Sequence, residues 1–198
     1  MSTIVNENTR NDRDRNTGDR NDTHTRNTKL KFLDNLSGYK VHHDDVDPRG
    51  YTVKLPSGET VGEVEGLLAD VDAKMVRYVE IEIDDDIINR YDRGRYTEED
   101  RHALIPVGLV HIDTKSNSVT LSGLENDHMT NYPRFRKDRG YSTRYEIDTN
   151  DYLSGFHDYG NSYDRNRFST DEYRRADRLD DDFYTSDFYA TRASRQTI

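Results

Sequence analysis

The chain lacks cysteine and tryptophan, and it contains only four prolines. Without a thiol it can form no disulfide, no thiolate metal site and no cysteine nucleophile. Apolar residues make up only 31% of the sequence, and no apolar run approaches the roughly 18 to 20 residues that cross a bilayer. Residues 1–30 also show no apolar signal-peptide core and no cleavage site. We therefore expect a soluble, cytoplasmic protein without a membrane span.

Aliphatic residues are concentrated in the centre of the chain. Between Leu30 and Leu124 there are 27 isoleucines, leucines and valines, whereas only four follow Lys137. Residues 6–28 are almost entirely Asn, Asp, Arg and Thr, which cannot offset the entropy cost of ordering the backbone. This distribution predicts a disordered arm over 1–29, one folded domain over 30–125, an associated extension over 126–153 and a disordered tail over 154–198.

The central domain alternates apolar and polar residues in the way that half-buried strands do. The segment from Met75 to Ile83, MVRYVEIEI, predicts inward Val79, Ile81 and Ile83 and outward Tyr78, Glu80 and Glu82. Similar patterns occur in YTVKLP, ETVGEVEGLLADV, HALIPVGLVHID and SVTLSGL. Val61 is out of phase, which predicts a β-bulge near Gly62, and Pro106 must lie at an edge or a corner. Five or six short strands with short links predict an all-β barrel.

The central domain contains four segments in the order LSGYKVHHDDVDPRGY, GETVGEVEGLLADVDAKMVRYVEIEI, RHALIPVGLVHID and SVTLSGL. Together, these four segments resemble the PRC-barrel family, in particular the cytoplasmic barrel of the photosynthetic reaction-centre H subunit. The structural positions that match the family's pattern are Asp47, Arg49, Gly50, Gly62 and Pro106. The resemblance implies a small PRC-type β-barrel of five to six short strands, with disordered N- and C-terminal tails.

Related barrels occur widely in bacteria as adaptors, so the resemblance implies a protein–protein interaction module. It also implies two alternatives, an accessory protein of the light reaction related to the H subunit and an adaptor similar to a ribosome-maturation factor. The chain has no GxSxG elbow, no Walker loop and no GxGxxG turn. We expect no enzymatic activity and no cofactor.

The formal net charge of −10 is distributed unevenly along the chain. Residues 1–29 carry +1, residues 30–125 carry −9 and residues 126–198 carry −2. An acidic domain repels phosphate backbones, so nucleic acid is a poor partner. We expect Glu63, Glu65, Glu80 and Glu82 to form an acidic recognition surface, either for a protein of unknown identity or for a second copy of this chain.

A cluster of His and Asp residues precedes the first barrel strand. His42, His43, Asp44 and Asp45 are weak candidate ligands for a divalent metal. Adjacent histidines in an extended chain point to opposite sides, and no helical HExxH pair is present. The simpler interpretation is a solvated loop before a turn at Asp47.

The C-terminal part of the chain is rich in aromatic residues. Nine tyrosines and five phenylalanines lie between Tyr132 and Tyr189, scattered among Arg, Asp, Asn and Ser. Because aliphatic periodicity is missing, we predict that this tail forms no core and acts as a solubilising segment. The alternative is that its aromatic and arginine residues mediate weak contacts with a partner or with another copy.

Overall fold

The structure is a computed structural model that describes residues 3–7, 29–91, 100–155 and 162–190. Most of the predicted N-terminal arm, residues 8–28, lies outside these described residues. The same is true of residues 156–161 and 191–198 in the predicted tail.

Strands dominate the described residues, and the helices are short. The strands are β1 (Ile4–Asn6), β2 (Leu30–Phe32), β3 (Tyr39–Val41), β4 (Thr52–Lys54), β5 (Thr60–Asp70), β6 (Met75–Ile83), β7 (His102–Pro106), β8 (Val110–Asp113) and β9 (Ser118–Leu121). The helices are α1 (Asp85–Tyr91), α2 (Asn126–Asn131), α3 (Thr143–Leu153), α4 (Arg165–Phe168) and α5 (Asp171–Arg175). The five central segments that alternate in sequence all form strands, as predicted.

Seven strands form one curled sheet, in which six follow the order β7-β6-β5-β4-β9-β8 and β2 pairs with β5 beside them. Strand β5 is long enough to pair with β4 through its first half and with β2 through its second half. All pairs are antiparallel except β4 with β9. Strands β1 and β3 form a separate two-stranded sheet. The apolar core lies inside the curl, where Val53, Val64, Ile81 and Leu121 are buried.

The predicted closed barrel is wrong in one respect, because the curled sheet does not close within the described residues. Edge strands β7 and β8 follow each other in the chain, joined by the 3₁₀ turn Val107–Leu109, but they do not pair. The Gly108 backbone N–H in this turn donates to Phe188 O at 2.8 Å. The C-terminal segment, residues 162–190, therefore contacts the turn that joins edge strands β7 and β8. Pro106 lies at the end of β7, which confirms the predicted corner.

The predicted β-bulge at Gly62 is confirmed. Val53 pairs with Gly62 and Lys54 pairs with Thr60, so Val61 is the extra residue. A Cβ atom at Gly62 would lie 2.0 Å from Glu82 O, so only glycine allows this close approach of β5 to β6.

The middle of the β5–β6 hairpin is buried on both faces, which corrects the expectation that Tyr78 and Glu80 face solvent. Tyr78 is 0% exposed and Glu80 is 1% exposed. Tyr78 packs against Tyr189 of the C-terminal segment, with ring centroids 5.4 Å apart. Alternation correctly separates the two faces of β6, but the outer face is covered by later parts of the chain.

Tyrosine hydroxyls cover the outer edge of β7. The Tyr145 hydroxyl accepts from Leu104 N at 3.2 Å, and the Tyr132 hydroxyl donates to Leu104 O at 2.9 Å. Phe135 pairs with His102 through two backbone hydrogen bonds. Residues 132–137 therefore run beside β7 and satisfy its edge, which would otherwise be a site for aggregation.

The matched Asp47, Arg49 and Gly50 form a turn before β4. The Arg49 guanidinium donates to Asp47 Oδ1 at 3.0 Å and also contacts Asp34 in the 3₁₀ turn Leu33–Asn35. These hydrogen bonds raise the pKa of Arg49, while burial acts in the opposite direction. Gly50 has a positive φ of 80°, which glycine adopts without strain. These three residues have a structural role here.

The C-terminal segment, residues 162–190, is packed against the sheet, which corrects the prediction of a disordered tail. Six aromatic side chains of this segment are buried, namely Tyr163, Phe168, Phe183, Tyr184, Phe188 and Tyr189. Phe183 contacts the Phe168 ring at 5.3 Å and the Tyr184 ring at 5.2 Å between centroids. Each aromatic ring buries a large area, so this segment forms a core without an aliphatic pattern.

The start of the predicted arm is also ordered. Residues Ile4–Asn6 form β1, and Ile4 is 1% exposed. The Thr3 backbone N–H and hydroxyl both donate to Asp45 Oδ2, at 2.7 and 2.6 Å. The disorder predicted for 1–29 is therefore wrong for residues 3–7.

Across the described ranges, every helix is too short or too polar to pass through a lipid bilayer.

If the C-terminal segment is part of the core, truncating a central ring must destabilise the whole protein. We predict that Phe183→Ala lowers the free energy of unfolding by about 3–5 kcal/mol, measured by urea denaturation. Glu172→Ala, on the exposed surface of α5, should change it by no more than about 0.5 kcal/mol. Equal stability of the two variants would contradict this arrangement of the segment.

Candidate functional site

Three ligand-bearing side chains converge on the outer face of the curled sheet. His102 Nδ1 lies 3.0 Å from Glu65 Oε2 and 3.3 Å from Glu80 Oε1. The Glu80 side chain is 1% exposed, that of His102 is 9% exposed and that of Glu65 is 31% exposed. Among the described residues, none of these three atoms has a hydrogen-bond partner of proper geometry. We call Glu65, Glu80 and His102 the outer-face triad.

A second β-bulge, in β5, builds this triad. Val64 pairs with Ile81 and Gly66 pairs with Glu80, so Glu65 is an extra residue between them. The bulge places both Glu65 and Gly66 on the outer face, opposite Glu80. A Cβ atom at Gly66 would lie 2.3 Å from Glu80 Oε2, so the absence of a side chain leaves room for the carboxylate.

Neighbouring strands bring the third residue into place. His102 on β7 pairs with Glu82 on β6. Glu82 is two residues from Glu80 on the same strand, so the side chains of all three residues lie on the same face of the sheet. Diagonal neighbours at this separation are within reach of long side chains. The Phe135 ring lies beside the imidazole, with centroids 5.7 Å apart, and the Phe135 backbone holds the His102 backbone.

One cation lies at the rim of the triad. Lys137 Nζ contacts Glu65 Oε1, the carboxylate oxygen that does not face His102. Partial burial alone would lower the pKa of Lys137, but the hydrogen bond to Glu65 and the charges of Glu80, Glu65 and Glu82 raise it. Lys137 therefore stays charged and fixes the orientation of the Glu65 carboxylate.

The predicted acidic recognition surface is only partly exposed. Glu63 is exposed, Glu82 is half-buried and contacts Arg101 at 3.5 Å, Glu65 belongs to the triad and Glu80 is buried. A buried Glu80 cannot contact a partner directly, so this residue has to be removed from the predicted surface.

The candidate metal ligands in the loop after β3 form a separate, more exposed group. His42, His43 and Asp44 have ligand atoms within 4.8 Å of one another, but the His43 and Asp44 side chains are each 77% exposed. The two rings do not point apart but lie side by side, with centroids 4.2 Å apart and planes tilted by 36°, because the chain turns here and Asp45 N donates to His42 O. Asp45 accepts hydrogen bonds from Thr3 and is not part of this group.

A second buried carboxyl lies where α3 meets the C-terminal segment. The Tyr184 hydroxyl donates to Glu146 Oε2 at 2.7 Å, and Glu146 is 1% exposed. Burial raises the pKa of Glu146 from 4.5 to about 8, although interactions with Tyr184, Tyr78 and Lys29 act against this rise. Glu146 is therefore protonated at neutral pH.

Buried polar groups connect this carboxyl to the sheet. The Tyr78 and Tyr189 hydroxyls lie 2.5 Å apart, and Asn150 Nδ2 donates to the Tyr189 hydroxyl at 2.9 Å. The Tyr184 ring lies beside both Lys29 and Arg77, which also pair with buried Asp70. Burial raises the pKa of Tyr78, Tyr184 and Tyr189 well above the usual value. This network attaches the C-terminal segment to the hairpin.

The sequence interpretation did not identify His102, Lys137, Gly66 or Glu146 as site residues. A glycine inside a strand often marks a bulge or a close approach of another group, so Gly66 was a usable signal. His102 and Lys137 carried none, because they join the site only through strand pairing and the course of residues 132–137.

No known family model and no curated protein matches this chain.

The raised pKa of Glu146 gives a pH-dependent stability. The folded state holds this proton up to about pH 8. The contribution of the protonated carboxyl to the free energy of unfolding is therefore fully present below the unfolded pKa near 4.5 and is lost as pH rises towards 8. We predict that Glu146→Gln removes this loss. At high pH the free energy of unfolding of the variant should therefore exceed that of the wild type by roughly 2–5 kcal/mol. Urea denaturation between about pH 5 and 8.5 measures the difference.

The control is Glu172→Gln, a substitution of an exposed glutamate on α5. Its stability difference from the wild type should be independent of pH over the same range. A difference for Glu146→Gln that is constant with pH would disprove the role of this carboxyl.

Proposed function

We propose that this protein is a non-enzymatic interaction module, similar to PRC-barrel proteins, that docks through an acidic corner of its sheet on a basic surface of a protein partner. The acidic corner consists of Glu63, Glu82, Asp84, Asp85 and Asp86, where β6 passes into α1. Glu63 and the three aspartates are exposed, and Glu82 is half-buried.

The observation that carries this proposal is the pairing of two like charges across the sheet. Glu63 and Glu82 are direct partners in antiparallel β5 and β6. Like charges directly opposite each other destabilise a sheet. Glu82 contacts Arg101, but the described residues show no ion pair for Glu63, and a docking surface for a basic partner would use this charge.

The electrostatics of the corner support the same interpretation. Burial raises the pKa of Asp84, and the charges of Asp86, Asp85 and Glu82 raise it further. Among the described residues, Arg101 is the cation that pairs here, with Glu82 and Asp85. Asp85 and Asp86 also have a structural explanation, because they lie in the first turn of α1 and favour its dipole. Glu82 has its contact with Arg101, whereas Glu63 has no such explanation among the described residues.

The resemblance to PRC-barrel proteins agrees with a mostly-β curled sheet whose strands follow the predicted order. A complementary charge pattern would act chiefly on the rate of association and on specificity, so binding should weaken with salt. A second copy of this chain is a weaker candidate partner, because two acidic corners repel each other.

The variant Glu63→Lys tests docking independently of stability, because the substitution should weaken docking without destabilising the fold. The substitution turns a repulsive cross-strand pair into an attractive one, so we predict a gain of about 0.2–1 kcal/mol in the free energy of unfolding. In an extract of its source, the wild type should capture a partner by cross-linking, and this capture should weaken with salt. Glu63→Lys should not capture this partner. The affinity of the purified partner should fall at least tenfold.

The matched control is Glu172→Lys, which makes the same change of charge on exposed α5. It should capture the partner as the wild type does. If both variants capture the partner equally, the acidic corner is not the docking surface. If light scattering instead shows a dimer that Glu63→Lys dissociates, the partner is a second copy.

A further inference from the structure

We infer that the outer-face triad of Glu65, Glu80 and His102 is a binding site for a divalent transition-metal cation of the zinc class. This inference does not depend on the proposed docking function, because the triad is separate from the residues of the acidic corner. It rests on the geometry of three ligand atoms, on their burial and on their lack of other partners.

The ligand atoms are spaced as a metal ion requires. Zinc binds imidazole nitrogen and carboxylate oxygen at about 2.0–2.2 Å, so two ligands of a tetrahedral ion lie about 3.3–3.5 Å apart. His102 Nδ1 lies 3.0 and 3.3 Å from the two carboxylate oxygens, and all three atoms are within 4.8 Å of one another. Small side-chain shifts would complete three corners of a tetrahedron.

Burial of Glu80 points to a ligand. Its carboxylate is 1% exposed, and Oε1 has no hydrogen-bond donor of proper geometry within the described parts of the chain. A single N–H at His102 Nδ1 could serve only one of the two oxygens that face it. A cation between the three atoms would satisfy Glu65 Oε2, Glu80 Oε1 and the imidazole at once.

Surrounding groups fix the ligands and leave a route for the ion. Lys137 holds Glu65 Oε1 and leaves Oε2 directed at His102. The missing side chain of Gly66 provides the space for the Glu80 carboxylate. The Glu65 side chain is 31% exposed, so an ion can enter from this side and a water can complete the coordination.

The ligand types determine the class of the ion. One imidazole and two carboxylates suit zinc, cobalt or manganese, whereas calcium and magnesium require six or more oxygen ligands. The exposed group of His42, His43 and Asp44 offers similar atoms without burial. The experiment therefore has to distinguish these two groups.

The test uses the full chain, freed of metal with a chelator. Titration calorimetry with Zn²⁺ should give one tight equivalent per chain, and Co²⁺ should give the visible absorption of a four-coordinate ion. Mg²⁺ and Ca²⁺ should neither bind tightly nor displace Co²⁺. Glu80→Gln and His102→Asn should weaken Zn²⁺ binding by roughly 100-fold or more, beyond the loss of about 10–100-fold that is typical when a group that only contacts a ligand is changed.

Two further variants keep the test decisive if these substitutions impair folding. Gly66→Ala retains all three ligands but displaces the Glu80 carboxylate, so we expect a loss of about 10–100-fold in Zn²⁺ affinity. The double variant His42→Asn/His43→Asn should bind Zn²⁺ as tightly as the wild type. Zn²⁺ should also raise the melting temperature of the wild type and of the double variant.

Three results would overturn the inference. The first is a wild type that binds Zn²⁺ no better than Mg²⁺. The second is loss of binding in the His42/His43 double variant with full binding in Glu80→Gln. The third is a nitrogen NMR spectrum in which both ring nitrogens of His102 carry protons in the presence of Zn²⁺, because an imidazolium would then bridge the two carboxylates in place of the ion.

Discussion

Burial of the middle of the β5–β6 hairpin on both faces is the constraint on which the rest of the structure depends. Its inner face supplies Val64 and Ile81 to the core, while its outer face carries Tyr78 and Glu80, which are also buried. A phenol and a carboxylate cannot be buried without polar partners. The C-terminal segment supplies one for the phenol, because the Tyr189 hydroxyl lies 2.5 Å from that of Tyr78. Glu80 lies beside His102, and within the described residues its Oε1 has no hydrogen bond of proper geometry. The C-terminal segment and residues 132–137, which pair with the edge of β7 through Phe135, therefore belong to the same folded unit as the strands.

Local patterns in the sequence predicted the strands, the bulge at Gly62 and the corner at Pro106, because each follows from a few adjacent residues. Alternation in MVRYVEIEI separated Val79 and Ile81 from Tyr78 and Glu80 correctly. It could not show that the second face is covered as well, since the burial of that face depends on residues much later in the chain, from His102 to Tyr189. The aromatic segment was misjudged for a related reason. Phe183 and Tyr189 follow no helical or strand period, because they lie in short turns whose packing is set by the sheet beneath.

The candidate site was less predictable than the fold. The sequence marked four glutamates as one surface, but two bulges in β5 divide them. The bulge at Val61 precedes Glu63, which stays exposed opposite Glu82, whereas the bulge at Glu65 turns that residue towards buried Glu80. Strands β5 and β6 thus carry the repulsive pair of Glu63 and Glu82 and, two residues further along each strand, Glu65 and buried Glu80 of the triad. Only the register, which depends on both bulges, distinguishes these environments.

The two buried carboxyls show how the covering segments determine chemistry. Glu146 lies among phenol hydroxyls, with Lys29 as the nearby cation, and burial raises its pKa to about 8. The carboxyl is therefore neutral at neutral pH, and its hydrogen bond from Tyr184 belongs to the attachment of the C-terminal segment. Glu80 lies instead beside an imidazole and a second carboxylate, with the ammonium of Lys137 on the far oxygen of Glu65. That arrangement offers converging lone pairs, which a proton cannot bridge on three sides and a divalent cation can. The fold thus needs a proton at one buried carboxyl, and at the other it creates a place for a metal ion.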